Sequence, residues 1–453
     1  MVAISKYIGE NMMKFKSFLL ILLCCAMLLS AAGCQQQPTP TEPPHQHTFA
    51  DWKLQQAALC SQEGRENRQC SQCGFTESRS IPKLAHTMGD YNICKKCKYV
   101  EFDPNASLVE LGVFSNYYVA DGTAANRAWD IKVWGNMVYR GAGDYDKNAG
   151  AASIIAFNKD THCWTIVGTT ADEAVHRFVE IGGTLYTPGI DPTGSWDLGN
   201  YYVLEGENWK QVRNLPNGLH NFDMIGFDGK IFAGLGTEVL RNTVAVSQDG
   251  GTSWDFVPLY RDGALLDTSG YEHSRTYAFV EYGGNLYALI QFKKQDVNSY
   301  DMFVFRYNNG KMVYQSVASS RLTGKTGGNY WQGKLEWKGV CYLTSTVLNA
   351  ITDFSNPETH KQIAMPSGGV VTDILLHNDQ LYVLSYTFKQ DMTCNVAIYQ
   401  SATGAEGSFT EVVSFDYAAF PISFDFDGSH FYIGTGQSYT DQAKSGMVLR
   451  VKP

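Results

Sequence analysis

FVEIGGTLYTPG (178–189) decides the fold: a short apolar strand, a Gly-Gly turn, then a second strand opening on an apolar residue and an aromatic one. The pattern returns as FVEYGGNLYALI (279–290), MIGFDGKIFAGL (224–235) and ISFDFDGSHFYIG (422–434), and more loosely as WGNMVY, WKGVCY and HNDQLY. Gly-Gly, Asp-Gly and Asn-Asp are residue pairs that tolerate the positive φ a tight two-residue β-turn requires. The turns begin at Gly135, Gly182, Asp228, Gly283, Lys338, Asn378 and Asp427, so the steps by subtraction are 47, 46, 55, 55, 40 and 49. A β-rich unit recurring every ~40–50 residues predicts a radial array of small sheets. Each unit reads as four strands, the fifth being short and lacking a clear third. After three strands the last unit stops, and SLVELGVF (107–114) supplies the fourth, which removes an open edge. The expected fold is therefore all-β: a seven-bladed β-propeller over 105–453, closed by its N- and C-terminal strands.

The 453 residues are 44% hydrophobic and 13% aromatic, with 43 glycines, which suits a large β-rich core. A formal charge of −9 excludes a basic phosphate-binding surface, so no nucleic-acid partner is expected.

Residues 18–32, FLLILLCCAMLLSAA, follow Lys14 and Lys16 and precede Gly33-Cys34. A charged start, a short apolar middle and a small-residue end describe an export signal over 1–33. The ending LLSAAGC resembles a bacterial lipobox. That resemblance implies diacylation of Cys34, a membrane-anchored lipoprotein and an extracytoplasmic address. QQQPTPTEPPHQ has no apolar pattern, so 34–46 reads as a flexible tether.

Two C-x-x-C knuckles, Cys70/Cys73 and Cys94/Cys97, lie within 47–104. Two residues between thiolates let one turn present both sulfurs to a tetrahedral ion, so this module is expected to hold structural zinc. Disulfides are the alternative for an exported chain. The stretch also resembles a small Cys/His repeat of bacterial surface proteins, through His47, Trp52, Gly64, Arg68, Cys70, Cys73, Gly74, Glu77, Ile81 and His86, with HTMGDYNICKKC starting a truncated second copy. The resemblance implies a zinc-ribbon-like module in which His47 and His86 join the thiolates, or His86 serves the second knuckle. A single site made of the four thiolates is the other arrangement.

Ser247, Asp249, Gly251 and Trp254 complete S-x-D-x-G-x-x-W. This stretch resembles the Asp-box of sialidase-like propellers, where it marks the fold and lies away from the active face.

If the hairpin turns share one face, the starts of the first strands share the other. Ligand-binding candidates there are Trp129, His176, Arg177, His220, His273, Arg275, Trp331 and Asp373. Aromatic faces with charged neighbours suit a glycan or a surface protein. Glycosidases need two carboxyl groups across a bond, and Asp130, Asp223 and Glu272 are the candidates. Arg127, Arg177 and Arg275 imitate a sialidase triad, but F-R-I-P and Y-R-I-P stretches are missing and only one Asp-box is intact. The leading expectation is thus a binding module, and a glycoside hydrolase or lyase is the alternative.

Overall fold

The computed structural model describes residues 46–112, 127–143, 151–237, 240–315 and 332–453. The leader, Cys34, nearly all of the tether and Trp331 lie outside them. Among the described residues the regular structure is strand, apart from three short 3-10 turns. The chain divides into two compact units, Met1–Leu84 and Ala85–Pro453.

In the first unit Lys53–Gln56, Gly64–Gln69 and Thr76–Ile81 form an antiparallel sheet. Its side chains explain why this stretch keeps Trp, Arg and Glu. The guanidinium groups of Arg68 and Arg79 stand 4.6 and 4.1 Å from the Trp52 ring, and Arg68 Nε donates to Glu77 at 2.6 Å. With so little core, stacked cations and the His47–Cys70–Cys73 group described below must hold much of this unit.

In the second unit, among the described residues, strand pairing gives four separate four-stranded antiparallel sheets and one fifteen-stranded sheet, within which three further four-stranded antiparallel meanders can be traced. The first strands of these seven meanders include Ile131–Trp134, Val179–Ile181, His220–Phe227, Tyr271–Tyr282, Lys334–Trp337, Val370–His377 and Ala419–Phe426. In six of them a two-residue turn joins first to second strand, and in five both turn residues have positive φ, as at Gly182/Gly183 and Lys338/Gly339. The seventh hairpin differs. Phe426 pairs with Phe431, leaving a four-residue loop whose free N–H groups at Ser429 and His430 donate to the Asp427 carboxylate at 2.9 and 2.8 Å.

The fifth meander has a third strand after all, Leu348–Ile351, paired with His360–Ile363. Only four residues long and interrupted by the polar Asn349, it carries too weak an apolar signal to be seen in the sequence. A further hairpin, Leu259–Arg261 with Ala264–Leu265, lies parallel to Lys311–Gln315 at the outer edge of the fourth meander. In the seventh, Leu108–Gly112 pairs antiparallel with Val448–Val451 as the outermost strand.

Consecutive meanders are stitched by backbone. Val175 N donates to Ala142 O at 2.7 Å, Ile190 pairs with His220, Gly236 with Arg275, and Val371 N donates to Thr346 O at 2.9 Å. Ala128 N donates to Thr435 O at 2.9 Å, so the last meander makes the same stitch to the first. Glycine permits some of these approaches: a Cβ on Gly141, Gly234 or Gly434 would lie 2.5, 2.7 or 2.8 Å from the carbonyl oxygen of Val175, Thr276 or Ala128 at the entry to the next meander. Tryptophans seal the outer parts. Trp164 Nε1 donates to Leu111 O at 2.7 Å, and Trp254 Nε1 donates to Asn214 Oδ1 at 3.0 Å, each reaching back to the preceding meander.

The S-x-D-x-G-x-x-W stretch joins Val244–Ser247 to Asp255–Phe256. Asp249 accepts from Ser253 N at 2.9 Å and Ser253 Oγ at 2.6 Å, and Gly251 N donates to Ser247 Oγ at 2.8 Å. Those donors hold the Asp249 carboxyl down at about 2, so it is a turn lock.

Candidate functional site

Seven register-equivalent positions at the starts of the first strands carry Asp130, Arg177, Asp223, Ala278, Gly333, Asp373 and Ser423, and Lys334 follows Gly333 directly. Just before four of them a β-bulge adds one residue, Phe222, Tyr277, Thr372 or Ile422, and re-aims the next side chain. The three carboxylates tie neighbouring strands together. Asp130 Oδ2 accepts from Phe178 N at 2.6 Å, Asp223 Oδ2 from Phe279 N at 2.6 Å, and Asp373 Oδ2 from Phe424 N at 3.0 Å. Asp223 is fully buried and also pairs with Arg177 at 3.0 Å and with Lys334.

Solvation sets the charge of this girdle. Burial pushes Asp130 up to about 6 against the opposing pull of the Phe178 N–H and Arg177, and raises Asp373 well above the usual carboxylate range, helped by Asp130. For Asp223 burial acts upward too, but Lys334 and Arg177 outweigh it and hold the carboxyl low. Burial brings Lys334 down to about 8 despite Asp223. Buried this way, the three carboxylates hold neighbouring strands in register. Asp130 and Asp223, two of the three candidate catalytic carboxylates, are thus committed to backbone and ion pairs. Glu272, the third, is an exposed partner of Lys293 and lies 3.5 Å from His273.

The candidate ligand residues separate into two groups. Trp129, His176, Arg177 and Asp373 are at most 7% exposed. The rings of Trp129 and His176 lie 4.3 Å apart, Arg127 stands over Trp129 at 5.1 Å, and Trp129 Nε1 donates to Gly143 O at 2.8 Å. Burial, then Arg177 and Arg127, drives His176 down to about 3, leaving a neutral core imidazole. His220, His273 and Arg275 are more open. His220 pairs with Asp191, Arg275 Nη1 lies 3.4 Å from Tyr277 Oη, and burial followed by Arg275 lowers His273 to about 4. The three arginines therefore have three separate duties: Arg127 stacks on Trp129, Arg177 pairs with Asp223, and Arg275 faces Tyr277.

A further exposed aromatic feature lies on this side, outside the candidate ligand residues. At the junction of the sixth and seventh meanders Phe388 and Tyr439 are 45% and 52% exposed, with Met392 at 44%. Their rings lie 5.9 Å apart, Tyr386 and Phe420 stack at 5.6 Å, and Phe420 and Tyr439 stack at 6.3 Å. Lys389, paired with Asp416, stands beside this platform. Phe388 ends a second strand and Phe420 lies in the opening residues of a first strand, so both stand opposite the hairpin turns. Trp196, 61% exposed, crowns the loop after Pro192 and donates to its carbonyl at 3.2 Å. At the hairpin end, a cavity of about 290 Å³ is lined by Ile225, Phe279, Val280, Glu281, Lys334, Leu335 and Glu336.

Two Cys/His groups can hold a metal among the described residues. His47, Cys70 and Cys73 offer ligand atoms within 4.8 Å of one another, as do His86, Cys94 and Cys97. The two are built alike. Gly74 N donates to Cys70 O at 3.0 Å and Lys98 N to Cys94 O at 3.0 Å, and Ser71 N donates to Thr48 O as Lys95 N does to Thr87 O. Gly74 and Lys98 both have positive φ. Cys73 Sγ lies 3.5 Å from His47 Nδ1 and Cys97 Sγ 3.4 Å from His86 Nδ1, and each imidazole stacks on an aromatic ring, Phe75 or Tyr99. Each histidine serves its own knuckle, which separates the four thiolates into two groups. Burial acts upward on the Cys94 thiol, but the Cys97 N–H, the His86 side chain and further N–H donors outweigh it and lower it to about 5, so a thiolate is available for metal.

No family model matches this chain, and no curated protein matches it. Among solved structures it resembles an ulvan lyase of a polysaccharide lyase family, at 12% identity and TM-score 0.46, over 76% of this chain and 96% of that one. It also resembles the β-propeller domain of the Trilobed protease from Pyrococcus furiosus, at 8% identity and TM-score 0.37, over 69% and 91% of the two chains. BamB from Moraxella catarrhalis is similar at 10% identity and TM-score 0.33, over 71% and 80%. With each TM-score below 0.5, nothing about this chain's ligand follows from them.

Proposed function

We propose that the chain is an extracytoplasmic lipoprotein, anchored through Cys34, whose seven meanders form a closed β-propeller that binds a glycan at the Phe388–Phe420–Tyr439 platform. The exposed aromatic platform carries this reading: flat rings left open to water, with an ion pair beside them, match the apolar faces and hydroxyl rims of sugar rings. The commitment of Asp130 and Asp223 to backbone N–H groups favours binding over hydrolysis, which needs two carboxyl groups facing one bond. A surface protein is the other class of ligand that an exposed aromatic patch accepts. Zinc is the metal we assign to both Cys/His groups, because thiolate with imidazole is its usual ligand set and each C-x-x-C turn presents both sulfurs toward the imidazole.

The mature full chain on a glycan array provides the test, with soluble products assayed from the same wells. Retention without products is expected, and Phe388→Ala with Tyr439→Ala weakens it by at least about tenfold, since each stacked ring contributes ~1 kcal/mol or more. The melting temperature stays put, because both side chains are half in water. Released sugar, or full retention by the double variant, contradicts the reading.

A further inference from the structure

Within the second unit, residues 91–102 run across the place where the first and seventh meanders meet. On the seventh-meander side, Tyr91 Oη donates to Ala443 O at 2.6 Å, and Ile93 shares an apolar cluster with Val109, Leu111 and Val448. On the first-meander side, Val100 N donates to His162 O at 2.8 Å and Trp164 N to Lys98 O at 3.1 Å. The same apolar cluster includes Ile131, Phe157 and Trp164. A Cβ on Gly112 would lie 2.4 Å from Ile93 Cδ1, so Ile93 is seated tightly against the outermost strand. The turn that links these two sets of contacts is Cys94-Lys-Lys-Cys97, and His86 faces it.

We propose that the His86–Cys94–Cys97 group is a metal-locked clasp over this seam. A thiolate-binding divalent ion of the zinc class fixes the knuckle and thereby holds the first and last meanders together, whereas the His47–Cys70–Cys73 group stabilises only its own unit. The proposal rests on the zinc reading above and adds a division of labour to it. An ion that binds only the folded knuckle stabilises whatever the knuckle holds in place. At this position it holds the two ends of the repeat array, where an array of small sheets separates first.

The test uses the full mature chain, its metal content measured by mass spectrometry and its backbone by hydrogen exchange. Cys94 is fully buried and its replacement risks misfolding, so the variants are Cys97→Ser and His86→Gln, with Cys73→Ser as the comparison. Each is expected to lose about one ion per chain. Cys97→Ser and His86→Gln speed exchange at least about tenfold in 108–112, 163–169 and 448–451, while 224–235 is unchanged. Cys73→Ser leaves all four segments as they were. Loss of the ion from Cys97→Ser with no change at the seam overturns the clasp and leaves the zinc reading intact. A wild-type chain that carries no metal overturns both, and equal acceleration in Cys73→Ser removes the division of labour.

Discussion

At the residue scale, the second unit is governed by what burial does to charge. Asp223 keeps its ionisation because Arg177 and Lys334 flank it, and removing one member of such a set leaves the others uncompensated in the interior. Asp223→Ala is accordingly expected to cost about 3–5 kcal/mol, read from the denaturant midpoint. A cost under about 1 kcal/mol contradicts the girdle. Asp130 behaves in the opposite sense. Its folded value near 6 lies above the ordinary 3.8, so the folded state binds more protons between these values and stability falls as pH rises through that window. Asp130→Asn keeps an acceptor for Phe178 N and removes this titration. Relative to wild type it should gain about 1–3 kcal/mol between pH 4 and pH 7, and a parallel pH profile for the two proteins contradicts the assignment. None of this was legible from the residues. The girdle positions read Asp, Arg, Asp, Ala, Gly, Asp and Ser at intervals of about fifty residues, with Lys334 next to the glycine, and only the strand register reveals that they are equivalent. The knuckles were more legible, since His-Thr precedes each C-x-x-C and an aromatic residue follows it by two. Which histidine serves which knuckle needed the geometry.

At the element scale, the hairpins were readable because their turns demand left-handed residues, and Gly, Asp and Asn are the ones that supply them. The seventh turn departs for a local reason: Asp427 caps two N–H groups, which favours the longer loop. Short strands fail the same reading, as Leu348–Ile351 and the extra hairpin at 259–265 show, because pairing with a neighbour decides them more than their own pattern. Gly234 illustrates a constraint that no single repeat reveals. Its missing Cβ makes room for Thr276 O in the next meander. Gly234→Ala should therefore lower stability by about 1–3 kcal/mol. Gly229, which has open space around it, serves as a control for side-chain clash, although its own positive φ adds strain. Similar thermal unfolding of Gly234→Ala and wild type counts against the close approach.

At the scale of the whole molecule, the all-β character and the recurrence of hairpins were visible in the periodicity. The placement of ligand candidates was less so. Side chains at the starts of the first strands read as surface groups, yet Trp129, His176, Arg177 and Asp373 are interior, because the next meander's first strand covers them. The exposed platform arises from three separate stretches, around 386–392, 418–420 and 439, which come together only through the junction of two meanders. Sequence distance hides such a patch. The central claim is that the aromatic junction takes the ligand while the charged girdle serves only the fold. Hydrogen exchange of the full chain, with and without the glycan retained on the array, tests it most directly. Protection confined to 386–392, 418–422 and 437–441 is the expected result. Protection centred on 129–132, 176–179 and 222–225, with the platform unchanged, would place the ligand at the girdle and contradict the account.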